Sequence, residues 1–266
     1  MEEEIRAYYE SGAEVGRLGQ GYSRIEFERT KELLARHLPP APARLLDVGG
    51  GPGVYAELLA EQGYDVRLVD ASPLHVREAV ERAGGRFTAA EGDARSLDEP
   101  DAAYDAVLLL GPLYHLTDRD DRLRALREAE RVLRPGGEVV AAAISRFASL
   151  LDGLYAGYLT DPRFWPIVER DLADGQHRSP PGIDIPAFTT AYFHRPEDLQ
   201  AELEEAGFRA DGLFGVEGPG WLLADRWDDE RAREHILRVA RLVEQEPTVV
   251  GTSSHLVAIG HKPEAV

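Results

Sequence analysis

The chain of 266 residues contains no cysteine. Disulfides, zinc–thiolate sites, iron–sulfur clusters and a cysteine nucleophile are therefore excluded. No apolar run approaches the roughly 18 residues that a membrane span needs, so no membrane association is expected. The first residues, Met1-Glu2-Glu3-Glu4, are acidic and do not resemble a signal peptide. A soluble cytoplasmic protein is the simplest expectation. Positive charge is also scarce: 30 Lys and Arg stand against 48 Asp and Glu, a formal net charge of −18. Such a field repels nucleic acid on average, and no dense Lys/Arg run offers a local exception. Lysine is nearly absent, with Lys31 and Lys262 alone. The excess of arginine over lysine has a bland explanation in genomic base composition and carries no function.

Against these absences stands one informative stretch, Arg44-Leu45-Leu46-Asp47-Val48-Gly49-Gly50-Gly51-Pro52-Gly53-Val54. The apolar run Leu45 to Val48 reads as a buried strand, broken by a glycine cluster and followed by an amphipathic helix over about 54–62. Strand, tight turn and helix open a nucleotide-type βα unit. Glycine serves such a turn by allowing positive φ and by letting a ligand approach the backbone. A dinucleotide fingerprint needs its third glycine at position 54, where Val54 stands, and a Walker loop needs a terminal Gly-Lys-Ser/Thr, which is missing.

An acid followed by Gly-x-Gly-x-Gly resembles the first motif of class I methyltransferases that use S-adenosylmethionine (SAM), with Asp47 as the acid and Gly49, Gly51 and Gly53 as the glycines. Without cysteine, the multi-cysteine arsenite chemistry of some relatives is excluded. The strand Asp65 to Asp70 ends in an acid about 19 residues beyond Gly51. There an ionised carboxylate accepts both ribose hydroxyls of a nucleoside. Ser72-Pro73 caps a helix to about Ala83. A third strand over 86–91 leads to Gly92-Asp93-Ala94, which resembles the family's adenine-binding segment. The resemblance gives Asp93 the adenine amino group and Ala94 a backbone contact to the ring; a plain turn aspartate is the other reading.

Tyr104 to Gly111 reads as a central parallel strand, nearly continuous in apolar residues. It ends in Gly111-Pro112-Leu113-Tyr114-His115-Leu116, similar to the post-strand motif of small-molecule methyltransferases. By that resemblance the backbone of Leu110 and Gly111 faces the methionyl part of SAM and His115 lies near the sulfonium or the acceptor. His115 is then a candidate base for an acceptor hydroxyl or ammonium, or a packing residue. A helix capped by Thr117 or Asp118 runs to about Leu133. Arg131 to Gly137 strongly resembles the family's turn before strand five, Glu138 to Ser145, where glycine and proline stop the helix.

Residues 146–192 interrupt the alternation with an aromatic insert that includes Trp165. It reads as a lid over an acceptor pocket, as a helical hairpin packed on the sheet, or as a dimer contact. Tyr192 and His194 close it near the expected active-site mouth, and His194 is the second candidate base. A helix from Pro196, a strand over 208–216, a loop holding Trp221, a helix over about 228–244 and a last strand from Ser254 to His261 complete the chain. Ahead of the sheet, helices over 2–15 and 23–37 form a cover, and Tyr8, Tyr9, Tyr22 and Arg24 are contact candidates, with packing as the other reading for the tyrosines.

The expectation is an α/β fold: a Rossmann-like, seven-stranded, mostly parallel sheet in the order 3-2-1-4-5-7-6. A helical cover (1–39) precedes the methyltransferase domain (40–266), whose insert is the substrate lid. The expected activity is SAM-dependent transfer of a methyl group to an O or N of a small-molecule acceptor, such as a secondary metabolite. SAM binding falls to Asp47, Gly49, Gly51, Gly53, Asp70, Asp93, Ala94, Leu110 and Gly111, and the acceptor to Tyr8, Tyr22, Trp165, Tyr192 and Trp221. No metal and no nucleic-acid partner are expected, and a monomer or homodimer is. Two alternatives stay open: a SAM-fold protein without methyl transfer, cyclase-like or regulatory, and an NAD-dependent oxidoreductase. The latter is disfavoured by Val54 and by the absence of a Tyr-x-x-x-Lys pair.

Overall fold

The computed structural model describes Ile5, Tyr8 and residues 16–19, 21, 23–178 and 188–264. Its sheet grows outward from β1 (Arg44–Val48), whose residues Leu45, Leu46 and Val48 are buried on both faces, as a central parallel strand requires. β2 (Asp65–Asp70) and β4 (Tyr104–Leu109) flank it in parallel, with β3 (Thr88–Glu91) outside β2 and β5 (Leu133–Ser145) outside β4. β9 (His255–His261) lies antiparallel to β5, and β8 (Arg209–Gly215) antiparallel to β9. The order β3-β2-β1-β4-β5-β9-β8 is the expected seven-stranded arrangement.

Two short strands were not anticipated, β6 (Gln176–His177) and β7 (Ala191–His194). β5 outruns β4: their pairing ends at Leu109 with Ala141, which leaves the last residues of β5 with an open edge. β7 takes that edge, pairing Phe193 with Ile144 and His194 with Ser145, and β6 pairs with β7. An unpaired buried edge would strand backbone donors, so the insert completes the ladder. β5 also begins earlier than expected, at Leu133, which pairs with Tyr104 ahead of a register shift at the glycine turn.

Helices cover both faces. α1 (Ser23–His37), α2 (Val54–Glu61) and α3 (Pro73–Ala83) close one side over Leu45, Leu68 and Val257. The short α4 (Pro112–His115) follows β4. α5 (Arg119–Val132) and α8 (Pro196–Glu205) pack on the other side, over Leu46, Val107 and Val139. Each fully buried leucine contributes about 1.5–3 kcal/mol. The insert folds into α6 (Ala148–Tyr155) and α7 (Trp165–Asp174), joined by a buried cluster around Phe164 and Val168. α9 (Glu230–Val243) lies near α1, where Ile25 meets Trp227 and Ile236. Among the described residues no helix is long and apolar enough to cross a membrane.

Candidate active site

The carboxyl ends of β1, β2 and β4 meet at a cavity of about 1160 Å³, where an open α/β sheet is expected to bind its ligand. The glycine turn forms one wall. Gly49, Gly51 and Gly53 all have positive φ, at 70°, 56° and 82°. Their roles differ. Gly49 and Gly51 line the cavity, as does Gly50. A side chain on Gly51 would meet nothing closer than His75 Nδ1 at 4.0 Å, so the space above it is open. Gly53, expected on the cofactor, does not line the cavity: it precedes α2, and a Cβ there would press on Phe87 at 2.9 Å. Its lack of a side chain serves helix packing.

Asp47 sits beneath this turn, 1% exposed. Neither of its carboxylate oxygens has a hydrogen-bond partner among the described residues. Burial, and secondarily the charge of Asp70, pushes its pKa up to about 7. Asp70, at the end of β2, is also buried. Its Oδ2 accepts the Gly51 amide at 2.9 Å and its Oδ1 accepts the Ser72 amide at 2.8 Å, with His75 Nδ1 at 3.3 Å. Asp70 thus holds the turn in shape and keeps its carboxylate at the cavity wall.

Asp93 and Ala94 line the cavity too. Asp93 is gripped by Arg95, with Nη2 to Oδ2 at 2.6 Å and Nε to Oδ1 at 2.9 Å, and this guanidinium holds its pKa below the ordinary range. Leu110, Gly111, Tyr114 and His115 also line the cavity, with Gly111 against the Gly49 carbonyl. His115 stacks on Phe188 with ring centres 5.6 Å apart, and Tyr114 meets its edge at 4.6 Å. Burial pushes its pKa down to about 4, against the pull of a hydrogen bond with the Thr190 backbone.

The structure corrects the second candidate base. His194 lies on β7, fully buried, and does not line the cavity. Its Nε2 donates to Glu202 at 3.3 Å, and Arg122 binds the same carboxylate at 2.8 Å. Burial raises the Glu202 pKa, but the hydrogen bonds from His194 and Arg122 outweigh it and bring the group down to about 2. Desolvation lowers that of His194. This is a structural ion pair joining α5, α8 and β7.

Three expected acceptor contacts also lie elsewhere. Trp165 is 43% exposed and donates to the Leu159 carbonyl. Tyr192 lies under the Arg122 guanidinium, 3.8 Å from its ring centre. Trp221 donates to the Thr252 carbonyl at 3.0 Å and packs against Tyr155. None of the three lines the cavity. Aromatic rings in the insert and the late loop are consumed by packing and by cation–π contact. Tyr8 meets Phe188 edge-on at 5.5 Å and so touches the ring that stacks on His115. Tyr9 and Tyr22 lie outside the described residues. Arg24 turns outward to Asp228.

Several residues that do line the cavity carry no motif. Ile5, Glu26, Phe27, Tyr55 and His75 line it, yet Phe27 reads in sequence as an apolar helix position. His75 had one available signal, its place three residues after the capping Ser72.

SAM brings a sulfonium, an ammonium, a ribose and an adenine. The open space over Gly51 and the unpartnered buried carboxylate of Asp47 fit such a cationic nucleoside. Residues 45–137 match a family described as a methyltransferase domain. The chain is 32% identical over 196 residues to a demethylmenaquinone methyltransferase of Deinococcus radiodurans, covering 69% of this chain and 76% of the relative. It is 29% identical over 209 residues to a ubiquinone biosynthesis O-methyltransferase of Xylella fastidiosa, covering 74% and 75%. A crystal structure of a SAM-dependent methyltransferase from Methanosarcina mazei shares the fold, with a TM-score of 0.61, 20% identity, and 88% and 98% of the two chains covered. The chain belongs to the class I SAM-dependent methyltransferases.

Proposed function

We propose that this methyltransferase alkylates an oxygen or nitrogen of a small-molecule acceptor, with His115 accepting the proton that the acceptor gives up. The carrying observation is the position of His115 on the cavity wall, stacked on Phe188. Burial lowers the His115 pKa to about 4, so the imidazole is neutral at neutral pH and, as a weak base, serves to take a proton that methyl transfer itself has made acidic. The stacked Phe188 and the Thr190 backbone fix the ring's orientation. SAM supplies an already activated methyl group, so the chain's main task is alignment and exclusion of water.

Cofactor binding falls, in this reading, to Asp47, Gly49, Gly51 and Asp70 at the turn, to Asp93 and Ala94 at the adenine end, and to the backbone of Leu110 and Gly111. The N-terminal segment, through Ile5, and the end of the insert, through Phe188, close the acceptor side.

Turnover of SAM to S-adenosylhomocysteine, measured over a panel of phenols and aryl-alkyl amines, tests the reading. His115→Gln should lower kcat by about 100-fold or more, the usual worth of a general base, and leave S-adenosylhomocysteine affinity within about twofold. An unaltered rate would remove His115 from proton transfer.

A further inference from the structure

The insert holds a buried cluster of serine, aspartate and histidine that does not line the cavity. α7 ends at Gly175, whose left-handed backbone, with φ at 78°, turns the chain straight into β6. The turn brings His177 back beside Asp171, and Ser149 joins them from α6. Ser149 donates its hydroxyl to Asp171 Oδ2 at 2.5 Å, and His177 Nδ1 stands 2.8 Å from the same oxygen. The imidazole stacks face to face on Phe193, with ring centres 4.5 Å apart.

Serine, histidine and aspartate also make hydrolytic triads, in which the serine and the carboxylate take opposite ring nitrogens. In this cluster they share one: Ser149 Oγ and Asp171 Oδ2 both face His177 Nδ1, at 3.5 and 2.8 Å. Nε2 faces the Phe188 carbonyl oxygen at 3.2 Å, and because a carbonyl only accepts, this nitrogen donates. It is therefore not available to activate the hydroxyl. The cluster holds an imidazole, and the imidazole holds a stretch of backbone.

That stretch is the one that meets His115. The Phe188 ring stacks on His115 with centres 5.6 Å apart and meets Tyr114 and Tyr8 edge-on at 5.9 and 5.5 Å. Two residues on, the Thr190 backbone hydrogen-bonds His115. Ala191 then pairs with His177 itself in the β6–β7 ladder. The stretch is thus tied to His177 at both ends, by a side-chain donor at Phe188 and by strand pairing at Ala191, and it grips His115 between them. Gln176 adds a second tie, donating from Nε2 to the Thr117 carbonyl at 3.0 Å, and Thr117 lines the cavity. The titratable neighbours of His115, Asp70 and His75, belong to β2 and α3 and not to the insert.

We propose that His177 is a positioning residue for methyl transfer: anchored by Asp171 and Ser149, it fixes through the Phe188 carbonyl the segment that aims His115 into the cavity. The proposal rests on the methyl-transfer reading with His115 as proton acceptor. His177 itself does not line the cavity, so it acts on the reaction only through this segment.

Two amide replacements separate the donor from the ring. Glutamine sets its amide nitrogen near the place of the imidazole Nε2 and keeps a donor for the Phe188 carbonyl; asparagine reaches only as far as Nδ1 and loses it. Both give up the stack on Phe193. Carbon-13 NMR of the full chain, labelled in histidine, follows His115, assigned by the signal missing from His115→Gln. In wild type the buried ring should not titrate between about pH 5.5 and 8, and His177→Gln should match it. His177→Asn loosens the segment and admits water, so the titration should rise into that window, towards the ordinary 6.5. Phe188→Ala, which leaves the cluster intact, should do the same, and it carries the test if His177→Asn does not fold. With an acceptor from the panel, kcat should fall about tenfold or more in His177→Asn, although the freed imidazole is the stronger base. In His177→Gln it should fall less than about threefold, and S-adenosylhomocysteine affinity should hold within about twofold in both. Equal titration or equal loss of kcat in the two His177 variants, a His115 that stays neutral in Phe188→Ala, or a wild-type ring that already titrates in the window would overturn the proposal. A wild-type chain that methylates no acceptor would instead strike the methyl-transfer reading, and the NMR comparison, which needs no acceptor, would still decide whether His177 holds His115.

Discussion

Asp70 Oδ2 accepts the amide of Gly51 at 2.9 Å, tying the end of β2 to the glycine turn that follows β1. One carboxylate therefore shapes the turn and lines the cavity. Asp70→Ala removes a charge-assisted hydrogen bond worth about 1.5–3 kcal/mol, and S-adenosylhomocysteine affinity should fall roughly 10- to 150-fold. Calorimetric titration reads this directly. Undiminished affinity would take Asp70 out of the binding site.

Neighbouring glycines should fail in different ways. A Cβ on Gly50 would lie 2.5 Å from Asp47 Oδ2 and 2.7 Å from Leu68, so Gly50→Ala forces the core apart. It should cost about 1–3 kcal/mol of stability. Gly51→Ala meets open space and carries only the left-handed backbone penalty, about 1–2 kcal/mol. It should fold, with its methyl group standing where the ligand approaches. Urea titration paired with S-adenosylhomocysteine binding separates the two. Equal binding by wild type and Gly51→Ala would contradict the close approach.

The glycine turn and its acids were legible because a backbone that must approach a ligand leaves few choices of residue. Asp47, Gly49, Gly51 and Asp70 are spaced by the strand–turn–helix geometry itself, and the sheet order follows from that unit repeating. The acceptor end offered no such constraint. Trp165, Tyr192 and Trp221 advertise aromatic surface, but sequence does not say which face each ring presents, and none of the three lines the cavity. His194 reads in sequence as lying near the active-site mouth because nothing announces β7, which forms only where β5 outruns its neighbour. Glu26 and His255 meet from positions more than 200 residues apart, a juxtaposition that needs the fold.

Asp47 should couple ligand binding to proton release. In the folded, ligand-free protein its pKa is raised to about 7 by burial, with the charge of Asp70 second. Below that value the group is mostly protonated, and a cation bound beside it favours the ionised form. Binding of S-adenosylhomocysteine, whose ammonium supplies that cation, should release close to one proton at about pH 6, and affinity should rise with pH until about 7 and then level. The same raised pKa makes the ligand-free fold lose stability as pH climbs from the ordinary carboxyl range towards 7, because the unfolded chain ionises first. Calorimetry in buffers of different ionisation enthalpy counts the protons. Asp47→Asn should abolish the release, and a wild-type protein that releases none would place the cation elsewhere.

The Glu202 cluster makes the opposite pH prediction and separates His194 from catalysis. Glu202 is 3% exposed and accepts from Arg122 through three hydrogen bonds of 2.8–3.1 Å. Its folded pKa of about 2 lies below that of the unfolded chain. Its contribution is therefore fully present above the ordinary glutamate range and is lost as pH falls from about 4.5 towards 2. Glu202→Gln leaves the buried Arg122 without its counter-charge and should cost about 3–5 kcal/mol. His194→Phe should lower stability while kcat per folded molecule stays within about twofold, since the ring touches no cavity wall. Urea denaturation across the acid range, with turnover measured on the folded fraction, checks both. A His194→Phe protein that is fully folded and binds S-adenosylhomocysteine normally, yet turns over a hundredfold more slowly, would return His194 to the reaction.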